Sequence, residues 1–234
     1  IRERPSGLRS LLAFYSRRAR RILPALVAMV LAMAVVGLVI LTPVDFERFG
    51  QSAAYLAAIV SNQYFRLEAD YFGSTAKEQL LLHIWSLSIE EQFYLLWPAA
   101  TLILFHPRAA RFAPAAIAAM LLVSLAQSQF LLLQHNANGA FYQFNSRAWE
   151  LLLGALVVAW PSRLTLSPIW RARLADLGLA SIVLSIVALK GSTPFPGLIA
   201  LLPCVGTALV LFGGGNGTTA RLLAWRPAVA VGLI

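Results

Sequence analysis

Side chains capable of chemistry are concentrated in residues 80–98, LLLHIWSLSIEEQFYLLWP, where an imidazole, hydroxyls and two adjacent carboxylates stand among apolar residues. His83 and Glu90 are seven residues apart, so they share one face of a continuous helix. Ionisable groups at the end of a membrane helix are costly, which makes them a default hypothesis for a functional site. The spacing therefore predicts a site that includes His83 and Glu90.

A structural explanation covers part of this stretch. Residues 88–91 fit a capping box, with Ser88 as the N-cap and Glu91 at the third helical position. In that interpretation Glu91 carries no chemistry, but His83 and Glu90 remain unexplained. For His83 the alternatives are a general base, a hydrogen-bond donor to a sugar, and an interfacial histidine bonded to a backbone carbonyl. No second ligand has a spacing that would make a metal site with it, and we predict none.

Four arginines form a dense cationic cluster before the first apolar run: Arg17, Arg18, Arg20 and Arg21. One interpretation is a topology determinant or a contact with lipid headgroups. The other is an anion site, because guanidinium groups bind phosphates through two parallel hydrogen bonds. The cluster by itself leaves both open.

Composition places the chain in a membrane. It is 59% hydrophobic and 12% charged, whereas soluble domains are about 25% charged. The net charge of +9 would suggest nucleic acid in a soluble protein. Here the arginines flank apolar runs, so the positive-inside rule explains them and we expect no nucleic-acid partner. A single cysteine, Cys204, excludes an intramolecular disulfide and a cysteine metal cluster.

The apolar runs predict an all-α, polytopic transmembrane bundle that forms one domain, residues 1–234. A segment of about 20 apolar residues crosses the hydrocarbon core. Within the extracytoplasmic loop region, residues 42–83, we predict one interfacial or re-entrant helix at residues 51–65. A truncated seventh span follows residue 226. The six complete spans are predicted at residues 22–41, 84–105, 112–133, 148–160, 174–189 and 197–212.

The distribution of basic residues predicts the orientation. With a cytoplasmic amino end, 14 of the 19 Lys and Arg residues lie in cytoplasmic segments and 5 lie outside. This asymmetry is typical of the positive-inside rule. The arginine cluster then faces the cytoplasm, and His83, Glu90 and the later polar pair Arg147 and Glu150 face the opposite side. The five basic residues assigned to the extracytoplasmic side are Arg48, Arg66, Lys77, Arg147 and Lys190.

Three motifs resemble the acyltransferase-3 family, whose members are membrane O-acyltransferases that modify cell-surface glycans and lipids. F-Y-x-R-R-x-x-R-I-x-P occurs at residues 14–24. H-x-W-S-L-x-x-E-x-Q-F-Y-x-x-x-P occurs at residues 83–98, and R-x-W-E-L-x-x-G at residues 147–154. Three motifs in the family's order are far more specific than any one of them, so the resemblance covers most of the chain.

The resemblance implies transfer of an acyl group, commonly acetyl, from cytoplasmic acyl-CoA to a hydroxyl of an extracytoplasmic polysaccharide or lipid-linked sugar. Acyl-CoA is then a co-substrate, and no permanently bound cofactor is expected. The arginine cluster would recognise its phosphates, with Arg18 and Arg20 as the main pair. His83 and Glu90 would support catalysis. The protein would be multi-pass in the inner (plasma) membrane, with membrane lipid as a partner and with cytoplasmic basic loops.

Five further motif residues are assigned to acceptor binding: Trp85, Ser86, Tyr94, Arg147 and Glu150. Trp85 could stack on a sugar ring, or belong to the interfacial aromatic belt. Arg147 and Glu150 are three residues apart on a predicted helix, which permits an intrahelical ion pair. Alternatively, they line the same outer cavity as Glu90.

The family also implies a main catalytic histidine on an earlier membrane helix and a later S-Y-x-x-Y-L-x-H motif. Neither occurs in this sequence, which begins without Met and stops within an apolar run, so we expect an internal fragment. A rival interpretation is a transporter module that exports an anionic or sugar solute, since transporters also place polar groups inside helical bundles. An upstream arginine followed by an intramembrane histidine would favour the enzyme.

Overall fold

A computed structural model describes residues 8–72, 80–159, 166–191, 193–215 and 217–233. These residues form α-helices and short 3-10 turns, with no β-strand among them, which confirms the predicted all-α class. The chain divides into two compact units. Unit 1 contains residues 1–111 and 142–144, and unit 2 contains residues 112–141 and 145–234. Of the basic residues counted above, Arg2, Arg4, Lys77 and Arg163 lie outside the described residues.

Unit 1 contains a long first helix, and its fourth helix carries the central motif. The first helix begins at Leu8, well before the apolar run that was predicted to start it, because arginine is a good helix former and continues the helix upstream. Pro24 consequently lies inside the helix rather than in its first turn. The helices of unit 1 are α1 (Leu8–Ile40), α2 (Pro43–Ala57), α3 (Ser61–Phe72) and α4 (Trp85–Leu104), with a 3-10 turn at Leu82–Ile84.

The single helix predicted at residues 51–65 is wrong in its bounds, because the chain forms two helices there, Pro43–Ala57 and Ser61–Phe72. The interfacial or re-entrant character of this segment stays a prediction. α2 begins earlier, where Thr42 caps it by accepting a hydrogen bond from the backbone N–H of Asp45 at 3.2 Å. It ends before Ile59, whose φ of 61° is left-handed and cannot continue a helix. α3 then starts at Ser61. The hydrophobicity pattern could not predict this helix break, because Ile59 is itself apolar.

The core of unit 1 fixes where α4 begins. Met29 and Met33 of α1 pack against this core, as does Trp85, the first residue of α4. The start of α4 is therefore held by hydrophobic contacts on several sides, and we expect little freedom at the motif that follows. The buried residues of the core are Phe49, Leu56, Tyr64, Phe65, Leu81 and Ile84.

Two helices of unit 2 approach closely, Pro168–Ala188 and Leu201–Gly213. A Cβ atom at Gly178 of the first would collide with the carbonyl oxygen of Gly206 in the second, and Ser181 donates a hydrogen bond to the Leu202 carbonyl at 2.7 Å. Small residues that allow such backbone approach are typical of membrane helix pairs. The helices are α5 (Ala113–Leu133), α6 (Ala137–Tyr142), α7 (Phe144–Ala159), α8 (Pro168–Ala188), α9 (Leu201–Gly213), α10 (Thr218–Leu223) and α11 (Arg226–Leu233).

Membrane-length helices account for part of the predicted topology. Among the described residues, two helical stretches are long and apolar enough to cross a bilayer, Leu11–Ile40 and Ala110–Leu133. A shorter apolar stretch covers Leu198–Gly213. The apolar side chains at the end of α1 are exposed, Val39 by 86% and Ile40 by 74%, as expected for a surface in contact with lipid. The six-span count remains a prediction.

Candidate active site

The central motif presents an exposed polar face on α4. The 3-10 turn at Leu82–Ile84 runs directly into α4, so the helical path from His83 to Glu90 is continuous. His83, Ser86 and Glu90 are all exposed, and their spacing places them on one side. The continuous helical path and the exposure of both side chains agree with the shared face predicted for His83 and Glu90. At ~1.5 Å per residue the two lie roughly 10 Å apart along the axis.

The opposite face of α4 is fixed by polar contacts, of which the bond between Ser88 and Ser61 is buried. The hydroxyls of Ser88 and Ser61 are hydrogen-bonded at 2.7 Å. The side-chain amide of Gln92 donates to the carbonyl oxygen of Ile59 at 2.7 Å and to the side-chain oxygen of the fully buried Asn62 at 2.9 Å. Buried polar groups are held by such bonds because leaving them unpaired costs free energy. These contacts bind α4 to α3 and leave the face of His83 and Glu90 outward.

The predicted capping box is wrong. α4 begins at Trp85 with Ile84 as its N-cap, so Ser88 already lies inside the helix. Its hydroxyl bonds the Ser61 hydroxyl instead of the end of its own helix. The 3-10 turn supplies the helix start, which removes the need for a cap at Ser88. Glu91 is therefore available for another partner.

That partner is Arg18 of α1. Its Nε donates to Glu91 Oε1 at 2.9 Å, and both side chains are 23% exposed. The guanidinium carbon of Arg18 also lies 3.2 Å from the centroid of the Tyr94 ring, a cation–π contact. Nearby, the Tyr15 hydroxyl donates to the Leu95 carbonyl at 2.8 Å. Arg18 contacts Glu91, whereas the earlier residue Tyr15 contacts the later residue Leu95. The two helices are therefore antiparallel in this region.

This contact shows that the arginine cluster and the central motif are adjacent in space, whereas the side of the membrane to which each opens stays a prediction. The two were placed on opposite sides of the membrane, but Arg18 meets Glu91, the residue next to Glu90. Along α4, Glu91 is only about 12 Å from His83, far less than the ~30 Å hydrocarbon core. The cluster lies several turns inside a long helix that packs beside α4. The sequence pattern did not predict this, because the apolar run begins only at Ile22.

The remaining arginines and the motif aromatics occupy different environments. Arg17, Arg20 and Arg21 are exposed on α1. Trp85 is half-buried, with its ring edge-on to Tyr142 at a centroid distance of 5.2 Å. The acceptor contacts expected of Trp85, Ser86 and Tyr94 are not tested by these positions and stay predictions.

In unit 2 the predicted intrahelical ion pair is confirmed. Arg147 Nη2 donates to Glu150 Oε2 at 2.9 Å, and the side chains are 15% and 21% exposed. The Arg147 guanidinium also lies 5.4 Å from the Phe141 ring centroid and 5.6 Å from that of Phe195. The pair is thus enclosed by aromatic rings on its own unit. That it lines a cavity together with Glu90 stays a prediction.

Sequence reasoning missed one residue of this site. Glu91 was assigned to the helix end, yet it makes the bond that holds Arg18. The two residues are separated by 73 positions, so no local spacing signals their contact. Among the described residues, no group of three or more His, Cys, Asp or Glu side chains could hold a metal ion.

An all-helical membrane protein with ionisable groups on one helix face is the class that the fold and the site define. The acyltransferase domain family matches residues 4–232, and the chain belongs to this family. The resemblance predicted from the three motifs is thereby confirmed. The protein is an acyltransferase, and the transporter alternative is set aside.

Curated relatives share this similarity over different lengths. A protein of Haemophilus influenzae with no described function is 29% identical over 212 residues, which cover 86% of each chain. The O-acetyltransferase OatA of Staphylococcus aureus is 31% identical over 157 residues, or 64% of this chain and 25% of that protein. The putative peptidoglycan O-acetyltransferase YrhL of Bacillus subtilis is 30% identical over 154 residues, with shares of 64% and 24%. The matched region therefore spans about a quarter of OatA and YrhL. No solved structure matches the chain.

Proposed function

We propose that this domain transfers an acetyl group from acetyl-CoA, bound from the cytoplasm, to a hydroxyl of a polysaccharide or lipid-linked sugar outside the inner membrane. The family supports acyl transfer, and the similarity to the O-acetyltransferases OatA and YrhL supports acetyl as the group. YrhL is named as a putative peptidoglycan O-acetyltransferase, which supports a glycan as the acceptor. The observation that carries the proposal is the contact of Arg18 with Glu91, because it brings a candidate anion site beside the exposed face of Glu90.

The donor is held by the arginine cluster in this proposal. Coenzyme A carries a diphosphate and a 3′-phosphate, and the four guanidinium groups of Arg17, Arg18, Arg20 and Arg21 can bind phosphate oxygens in pairs. Three of these side chains are exposed, which leaves them accessible to a soluble ligand. The excess of basic residues in the segments assigned to the cytoplasm supports a donor on that side.

The acceptor lies along the exposed face of α4. Its hydroxyl oxygen attacks the thioester carbonyl, so that a C–O bond forms, the C–S bond breaks, and the hydroxyl proton passes to a base while coenzyme A leaves as a thiol or thiolate. His83 and Glu90 support this step as groups able to accept a proton or to orient the hydroxyl. Trp85, Ser86 and Tyr94 on α4 provide sugar contacts. Arg147 and Glu150 are separate candidates for acceptor binding within unit 2. A main catalytic histidine is expected from another membrane helix.

The test is transfer of label from [14C]acetyl-CoA in sealed membrane vesicles that contain the full-length protein. We expect label to leave the nucleotide and to appear in a glycan or lipid-linked sugar fraction, with Glu90→Gln abolishing that appearance. Label that remains on coenzyme A under all acceptor conditions would contradict the proposal. Matched vesicles with Arg48→Lys, a substitution at a half-exposed position on α2, provide the control for expression and vesicle quality.

A further inference from the structure

We propose that Glu91 is a positioning residue for the acyl donor, because it holds the Arg18 guanidinium with its outer edge directed at a phosphate group. This inference rests on the proposed function, in which the arginine cluster binds acyl-CoA. It assigns a role to a carboxylate that lies beside the motif glutamate Glu90 and that local sequence explains only as a helix cap.

The geometry leaves one edge of the guanidinium for a ligand. A guanidinium has five N–H donors in a fixed plane. Glu91 Oε1 accepts the bond from Nε at 2.9 Å, and the Tyr94 ring covers one face of the plane at 3.2 Å. The two Nη atoms form the edge farthest from the arginine stem, and this is the edge that binds phosphate oxygens bidentately. With its plane fixed by two contacts, Arg18 loses less freedom when the anion binds.

A purely structural ion pair explains these contacts less well. Both side chains are 23% exposed, and ion pairs near a surface contribute little to stability. α1 is already held in unit 1 by Met29 and Met33 packed against the buried core, and Tyr15 adds a further bond to α4. Stability therefore does not require the Arg18–Glu91 pair, whereas orientation of the guanidinium does.

The two adjacent carboxylates of the motif divide between donor and acceptor. Neighbouring helical residues point about 100° apart, so Glu91 faces Arg18 while Glu90 lies on the exposed face with His83. A single turn of α4 then orients the acyl donor through one carboxylate and serves the acceptor through the other. This places the two substrates at the same level of the helix.

The experiment compares Glu91→Gln with Tyr15→Phe in the full-length protein, by the KM for acetyl-CoA, the kcat and the unfolding temperature. Glu91→Gln loses the ionic acceptor, so we expect the KM to rise about tenfold with the kcat and the unfolding temperature near their original values. Tyr15→Phe removes another α1–α4 hydrogen bond, about one helical turn away, and leaves the KM unchanged. Glu91→Asp keeps the charge on a shorter side chain, and its KM falls between the two.

A charge exchange separates positioning from simple pairing. The double variant Arg18→Glu with Glu91→Arg restores an ion pair between the helices but moves the guanidinium to α4. We expect recovery of the unfolding temperature without recovery of the KM. Recovery of the KM, or an unchanged KM in Glu91→Gln, would overturn the inference. If Arg18→Ala also leaves the KM unchanged, the proposed donor site itself fails. If Arg18→Ala raises the KM and Glu91→Gln does not, only the positioning role fails.

Discussion

Each unit contains an arginine–glutamate pair with the same 2.9 Å contact, but the pairs are made in different ways. Arg147 and Glu150 are three residues apart on one helix, so their bond is set by helix geometry. Arg18 and Glu91 are 73 residues apart on two helices, so their bond exists only after α1 has packed beside α4. The first pair is a local feature of α7, and the second is a result of the tertiary fold.

The surroundings of the two pairs also differ. Arg147 lies beside the adjacent rings of Phe141 and Phe195, and its pair is the less exposed of the two. Arg18 has a ring on one face only, and its pair is more exposed. An enclosed pair is costly to break, because a charge is left behind without its partner. A half-open pair can instead admit a ligand. The comparison predicts that the pair in unit 2 affects stability and the pair in unit 1 affects the donor.

The largest effect should come from Glu90, the carboxylate beside the Arg18–Glu91 pair. We expect Glu90→Gln to lower acetyl transfer by about 100-fold or more, the range for loss of a group that moves protons. Because Glu90 is exposed, membrane expression and the unfolding temperature should stay unchanged. Transfer assays beside immunoblots of the membrane fraction measure both. An equal loss of expression and transfer would make the motif structural.

The second effect tests Arg18 as a ligand for the donor. Arg18→Lys keeps the charge but loses the planar fork, and we expect the affinity for acetyl-CoA to fall about 10- to 100-fold. Titration calorimetry or the KM for acetyl-CoA measures it. Arg48→Lys, the same change on α2, is the control. Unchanged affinity in Arg18→Lys and Arg20→Lys would reduce the cluster to a topology signal.

The third effect tests the enclosed pair. Arg147→Ala leaves the mostly buried Glu150 without its partner, and we expect a loss of about 1–3 kcal/mol in stability. Arg18→Ala should cost less than about 1 kcal/mol, because its pair is closer to the surface. Thermal unfolding in detergent compares the two variants. The comparison between the units breaks if Arg18→Ala is the more destabilising change.

The last prediction involves no change in activity and tests the predicted orientation of the chain in the membrane. Single cysteines at Arg108 and Asn138, in a Cys204→Ser background, should be labelled from opposite sides of sealed vesicles. Arg108 is expected on the cytoplasmic side and Asn138 outside. Lys77 should report with Asn138. If Lys77 and Arg108 report the same side, the predicted orientation is wrong.

Local sequence was sufficient for some of the features that depend on residues close together in the chain. The apolar runs predicted α4 and α5 to within one or two residues, because burial in lipid requires long apolar helices. Spacing alone predicted the shared face of His83 and Glu90 and the ion pair of Arg147, since helical periodicity is a local property. The motifs predicted the family, which the match to residues 4–232 confirms.

The tertiary structure decided the partners of the polar residues in the central motif. Ser88 and Glu91 fit a capping box in sequence, but the helix begins earlier, directly after a 3-10 turn. The side chain of Ser88 bonds Ser61, and that of Glu91 bonds Arg18. Contacts between distant segments depend on how two helices are aligned along their axes. Hydrophobic periodicity predicts which face of a helix is buried, but it does not predict this axial alignment with a neighbouring helix. For that reason the sequence supplied the arginines and the carboxylates, and only the packing of α1 against α4 joined them.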